Sequence, residues 1–222
     1  MSRDISAVAE RYTAFGRKDW SPIVDAIRRF AKGARTAIVA TVSGDANLHF
    51  FRELARQRIT ADVIPVMSLS INEAELPALA RSNIAGHYVA WNYLHALDRS
   101  ENHAFIAEWR RFTGDPGAVT NDPMEATWIG FHLWAAAVEA AGTTDIDKVR
   151  AALAGRRMAA PSGFTVWVDG DTQHLHKPVM IGRIGNDGGI EPVSISAGLV
   201  APEPWSPWLA PERAAPLHEV AG

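Results

Sequence analysis

The sequence predicts an α/β fold, a parallel sheet with crossover helices followed by a small antiparallel meander. Three observations predict it. Residues 36–42, TAIVATV, form an almost unbroken β-branched and apolar run, the pattern of a parallel-sheet strand covered on both faces. Two more short runs, ADVIPVM at 61–67 and GHYVAWNY at 86–93, follow at intervals that each hold a polar loop and a helical stretch. That order is the one right-handed βαβ crossovers require. Beyond residue 160 the apolar period changes from helical spacing to alternation, which marks antiparallel strands.

The elements follow in chain order. Residues 5–13 have extended character. Trp20–Ala31 reads as a helix with Ser21 as cap, Pro22 in the first turn and Ile23, Ala26, Ile27 and Phe30 on its inner face. Gly33 ends it. After TAIVATV comes the polar stretch Ser43–Asn47, then a helix carrying Leu48, Phe51, Leu54 and Ala55 on one stripe. The strand at 61–67 runs into Ser68–Glu73 and a weaker helix interrupted by Pro77. Residues 101–113 form an amphipathic helix with Phe105, Ile106, Trp109 and Phe112 inward. Asp122, Pro123 and Glu125 have the spacing of a helix start, as cap, N1 and N3. That helix extends to Ala141, where Gly142 supplies a left-handed stop, and a shorter one capped by Thr144 or Asp145 reaches Ala154. Strands at 164–168, 178–184 and 190–195, joined by Asp-Gly and Gly-rich turns, make the meander. From Ala201 five prolines in sixteen residues give an extended tail, with Trp205 and Trp208 to strap it over a surface.

Composition narrows the function. Basic and acidic side chains number 22 and 25 and are interspersed, so no phosphate-binding surface for nucleic acid is expected. The cluster of Arg28, Arg29, Lys32 and Arg35 fits a solvated helix face. With no cysteine, thiolate nucleophiles, thiolate metal sites and disulfides are excluded. No stretch reaches the length of a membrane span, and MSRDISAVAERY lacks the apolar core of a secretory signal.

In an open parallel sheet, ligands gather at the C-terminal ends of the strands. Three segments qualify: Ser43–Asn47, Ser68–Glu73 and Trp91–Tyr93. Ser43, Asp45, Asn47, Ser68, Ser70, Trp91 and Tyr93 supply hydroxyls, an amide, a carboxylate and aromatic walls, a set suited to a small neutral solute that forms hydrogen bonds. Each has a plainer role open to it: Asp45 as a helix cap, the serines as strand ends, the rings as core. No catalytic set emerges. Ser43-Gly44-Asp45 is not a nucleophile elbow, and GRIGNDGG lacks the strand-to-helix context of a phosphate loop. His174 and His176 lack a third ligand for a metal. The expectation is binding without an enzymatic step, a metal or a cofactor.

The runs TVSGDANLHFFRELARQRITADVIPVMSLSINEAEL, GHYVAWNYLHALDRSEN, TNDPMEATWIGFHLWAAAVEAAGTTDIDKVRAA and DTQHLHKPVMIGRIGNDGGIEPV resemble the urea or short-chain-amide substrate-binding proteins of ABC transporters. Those are bilobal periplasmic binding proteins of the leucine-binding type, and the resemblance covers about residues 8–209. It implies a type I periplasmic-binding-protein-like fold in which two lobes close on a small ligand and present it to a membrane permease. Residues 1–100 would be part of the C-terminal lobe, 101–155 helices that pack on the N-terminal lobe, 160–200 the final C-terminal-lobe strands and 201–222 the proline-rich tail. Most of the N-terminal lobe would be missing. Asp45, Ser70 and Tyr93 would contact the ligand, with Trp91 as a wall. The family implies a periplasmic location, while the lack of a signal leaves a cytoplasmic one open.

Without that lobe, Phe105, Trp109, Phe112, Trp128, Phe131, Trp134 and Val138 would form an apolar patch. Self-association, or docking of the missing lobe, is then expected through residues 101–154. Two other functions fit the same sequence: an interaction or scaffold module that kept the fold, and a cytoplasmic amide-sensing regulator.

Overall fold

The structure, a computed structural model, describes residues 8–203. The tail with Trp205 and Trp208 lies outside the described residues, as do the first residues of the 5–13 stretch.

Strands β1 (Ile38–Ala40), β2 (Val66–Ser68) and β3 (Tyr88–Trp91) run parallel, as their spacing predicts. Helix α1 (Ser21–Phe30) precedes β1, α2 (Asp45–Arg56) links β1 to β2, and α3 (Leu76–Leu79) with a 3-10 turn at Ala80–Ser82 links β2 to β3. Pro77 stands in the first turn of α3, where its missing N–H costs nothing, so it starts the helix rather than interrupting it. Helices α4 (Ser100–Thr113), α5 (Asp122–Ala141) and α6 (Ile146–Leu153) follow, then β4 (Arg157–Ala159), β5 (Thr165–Val168), β6 (Leu175–His176), β7 (Met180–Ile184) and β8 (Ile190–Ile195).

The expected meander is divided between two sheets. β7 joins β3 antiparallel and carries β8, which completes a five-stranded sheet of order β1-β2-β3-β7-β8. β5 instead pairs with β4 and β6, two short strands not foreseen, in a separate three-stranded sheet. Local alternation specifies strands but not their partners.

One face of the large sheet is covered. Val66, Val89, Met180, Ile184 and Ile190 share a core with Trp20, which precedes α1, and with Val24, Phe50, Phe51 and Leu54 from α1 and α2. On the other face Val39 is 71% exposed, and Met67, Tyr88, Ala90 and Ile181 are half-buried. The expectation that TAIVATV is covered on both faces is therefore corrected, and among the described residues β1 is an edge strand. A second core joins Ile129 and Leu133 of α5 to Ala160, Val166 and Val168.

Other expectations shift by about a residue. In α1 the buried side chain is Val24 and Phe30 is 41% exposed. Trp20 is the N-cap residue, and Asp19 rather than Ser21 accepts a hydrogen bond, from the Ser21 N–H at 3.0 Å. Phe112, expected inward, is 82% exposed. The α5 cap is Asn121, whose Oδ1 accepts from Met124 N at 3.1 Å, so Asp122 is the first helical residue. Asp145 caps α6 and Gly142 closes α5 at φ 62°, as expected.

Gly182 of β7 is where the sheet admits no side chain. A Cβ there would lie 2.3 Å from Ile190 Cγ2 and 3.1 Å from Val89 Cγ2. Gly182→Ala is expected to overpack this core and destabilise the fold by about 1–3 kcal/mol, read as a lowered urea midpoint with an unchanged slope.

Candidate functional site

Parallel pairing of neighbours in sequence brings the ends of β1, β2 and β3 side by side, and hydrogen bonds fasten the three rim segments together. Leu69 N donates to Ala40 O at 2.9 Å, and the Ser70 hydroxyl donates to Val42 O. Asn47 Nδ2 donates to Ser70 Oγ at 3.2 Å, and Trp91 Nε1 to Ile71 O at 2.6 Å.

The seven candidate residues take different places in this rim. Ser43 and Asp45 are exposed. Gly44, at φ 63°, turns the chain into α2, so Asp45 sits in the first turn as a free carboxylate with no side-chain capping bond. Its charge lies at the positive end of the helix dipole. Asn47 is buried and its Oδ1 has no partner. Ser68 is buried, and its Oγ accepts from the Ser70 and Ile71 N–H groups at 3.3 and 3.1 Å, which shapes the end of β2. Ser70 and Trp91 are half-buried. Tyr93 is turned into the core: it is fully buried, its ring meets Phe105 edge-on at 6.1 Å, and its hydroxyl bonds Asn102 and Thr120. The family-implied contact from Tyr93 has no exposed surface to act through.

Behind the rim lies a polar cluster, where the chain passes between the two sheets, that no motif announced. Glu125 is fully buried. Its carboxylate accepts from Ser162 N at 3.0 Å and from Lys177 Nζ at 2.7 Å. Lys177 also lies 3.7 Å from Asp122, whose Oδ1 accepts from Asn92 N at 3.0 Å. Burial raises the pKa of both carboxyls, and the Lys177 charge opposes that shift. Asp122 and Glu125, read from sequence as helix-start residues, serve mainly here. Nearby, buried Glu73 accepts from His95 N at 2.7 Å and has its other oxygen unpaired. Burial, with a smaller contribution from Asp122, pushes its pKa up to about 7. His95 Nδ1 accepts from Thr120 N at 3.2 Å, which leaves its proton on Nε2.

Among the described residues no group of three or more metal-ligating side chains occurs. His176 stacks on Trp167 at 3.4 Å between ring centroids, and His174 is exposed beside it. Two surface hollows lie away from the rim. One is lined by Asp25, Arg28, Arg56, Gln57 and Arg58, with Arg56 already paired to Glu53. The other adjoins α4 and includes His95, His103 and Arg110.

Residues 1–211 match a family described as a periplasmic binding protein domain. A Leu/Ile/Val-binding protein homolog 6 from Brucella melitensis biotype 1 is 26% identical over 169 residues, 75% of this chain and 42% of the relative. A solute-binding protein of an ABC transporter from Rhodopseudomonas palustris HaA2, solved with p-hydroxybenzoic acid, is 25% identical with a TM-score of 0.70, over 81% of this chain and 49% of that one. The closed form of a leucine-, isoleucine-, valine-, threonine- and alanine-binding protein from Brucella ovis has a TM-score of 0.69 at 14% identity, over 82% and 48%, a likeness of fold alone. The chain thus spans about half the length of these proteins. Its two sheets, its crossover helices and the match along nearly its whole length place the chain in the periplasmic binding protein domain family.

Proposed function

We propose that this chain forms one ligand-facing wall of a solute-binding protein for urea or short-chain amides, which hands its solute to the permease of an ABC transporter. One observation carries the choice of solute. The segments Ser43–Asn47, Ser68–Glu73 and Trp91–Tyr93 contain hydroxyls, amides, carboxylates and an indole but no lysine or arginine. A carboxylate solute such as p-hydroxybenzoate calls for a cation or a free helix N-terminus, and here Asp45 occupies the first turn of α2. A neutral solute rich in N–H donors matches these acceptors. Ser43, Asp45, Asn47 and Ser70 are the proposed contacts, Trp91 the wall, and Ser68 and Tyr93 supports behind them. On this reading residues 1–100 belong to the C-terminal lobe, the strands from Met180 to Ile195 return to it, and the protein works in the periplasm without catalysing a reaction.

Titration calorimetry at millimolar solute tests this. Heat with urea, acetamide or formamide and none with p-hydroxybenzoate or leucine is the expected result. Binding of the carboxylates in place of the amides overturns the solute class. No heat from any of them, with the fold verified by circular dichroism, overturns the solute-binding reading for this chain.

A second reading, an interaction module, is favoured by the aromatic side chains that α5 leaves exposed.

A further inference from the structure

Charge is distributed unevenly along this chain. Residues 17–62, which contain α1 and α2, hold nine lysines and arginines against five carboxylates, whereas the whole chain has a net charge of -3. The fold gathers these cations where the two helices end. Arg28 of α1 meets Arg56 and Arg58 around a hollow of about 410 Å³. Arg52 lies one turn before Arg56 on α2, and Arg29 and Lys32 follow Arg28. All six are exposed. The neighbouring carboxylates are engaged: Glu53 with Arg56 at 2.6 Å, Asp25 with Gln57 at 2.8 Å and Asp19 with the Ser21 N–H at 3.0 Å. Asp45 stands at the other end of α2. Among the described residues neither Arg28 nor Arg58 has an ion-pair partner.

Helix-end electrostatics accounts for half of this cluster. Arg28, Arg29 and Arg56 lie in last turns, where the negative end of the helix dipole favours a cation. Lys32, Arg52 and Arg58 lie outside those turns. Arg58 also carries a backbone penalty, since its φ of 58° is in the left-handed region. Its N–H donates to Ala55 O at 2.9 Å, and that of Ile59 to Leu54 O at 2.9 Å, which closes α2 with a turn whose left-handed position glycine fills without strain. An arginine there adds a cation to the hollow at the expense of stability.

We infer that the ends of α1 and α2 form a docking surface for an anionic phospholipid membrane, with lipid phosphates seated between Arg28 and Arg58. Five of the six cations are arginines, whose planar donor fork matches a phosphate. Phe30, which lies between Arg29 and Lys32 in sequence and is 41% exposed, supplies an apolar contact at the headgroup boundary that a soluble polyanion would not require. The choice of a membrane rests on the proposed role beside a permease. Such a surface would hold the protein within reach of that permease, and salt would weaken it, because each cation acts over about one Debye length.

Co-sedimentation of the 222-residue chain with lipid vesicles tests the inference. The expected result is binding to vesicles of phosphatidylcholine and phosphatidylglycerol in equal parts and none to phosphatidylcholine alone. Release follows at about 1 M sodium chloride, where the Debye length falls to about 3 Å. Arg28→Gln/Lys32→Gln/Arg58→Gly is expected to weaken binding at least about tenfold. Arg111→Gln/Lys148→Gln/Arg150→Gln, which removes as much charge from exposed positions on α4 and α6, is expected to leave it unchanged. Arg58→Gly alone separates a binding role from a structural one: binding falls while the urea midpoint rises. Equal binding to the two vesicle types, equal losses in the two triple variants, or tighter binding to soluble polyglutamate than to the anionic vesicles overturns the inference. So does a chain that gives heat with urea yet ignores the vesicles, whereas one that binds the vesicles and no solute upholds the docking surface and refutes only the solute reading.

Discussion

Lys177→Met is expected to destabilise the fold by about 3–5 kcal/mol, the usual consequence of stripping one partner from a buried ion pair. Lys177 is the cation that answers both Glu125, at 2.7 Å, and Asp122, at 3.7 Å. Without it, two buried carboxyls would face each other where the chain passes between the sheets. Glu125→Gln alone should cost much less, because its side-chain oxygen can still accept from Ser162 N and Lys177 retains Asp122. The double variant should recover part of the Lys177→Met loss, since one uncompensated charge is gone. Urea denaturation of the three variants measures this coupling. Strictly additive losses would show that the ion pair contributes nothing as a unit.

Glu73→Gln is expected to unmask a pH dependence that the native chain conceals. Burial lowers the His87 pKa from 6.5 to about 4. The unfolded chain then binds the proton more readily, so the His87 contribution is present above pH 6.5 and is lost as pH falls through 4. Glu73 has the opposite sign. Its folded pKa of about 7 lies above its ordinary 4.5, so its contribution is complete below pH 4.5 and is lost as pH rises through 7. Between pH 4.5 and 6.5 the two slopes cancel. Glutamine keeps the acceptor for His95 N and removes the titration, so the variant's stability should rise with pH more steeply than the native chain's, by up to about 1.4 kcal/mol per unit across that window. Parallel stability profiles for the variant and the native chain, from denaturation at pH 5, 5.5, 6 and 6.5, would defeat this account.

His87 and Glu73 also show what could be read without the structure. His87 lies in GHYVAWNY, a strand foreseen from its apolar run. Its role as acceptor for Val66 N at 3.0 Å depends on the neighbouring strand, 21 residues away. Glu73 was included in a rim segment as one polar residue among several, and its burial comes from the passage through His95, which no local pattern encodes. Tyr93 illustrates the same limit from the other side. As a ring at a strand end it suited a ligand wall, and its hydroxyl is instead taken up by Asn102 and Thr120. Lys177 carried no signal at all, because a single lysine between a histidine and a proline is indistinguishable from a surface residue until Glu125 is brought to it.

The α/β class, the parallel run of β1, β2 and β3, the ends of the long helices and the clustering of three polar segments at one rim were legible in the residues alone. These depend on periodicity, caps and the short crossovers between neighbouring strands, all local properties. That β5 leaves β7 and β8 for a second sheet, that β1 lies at the edge among the described residues and that Tyr93 turns inward emerge only once the chain is folded. Each of these depends on which distant surface an element meets, and burial and pairing are properties of both partners, so neither partner's own residues can state them.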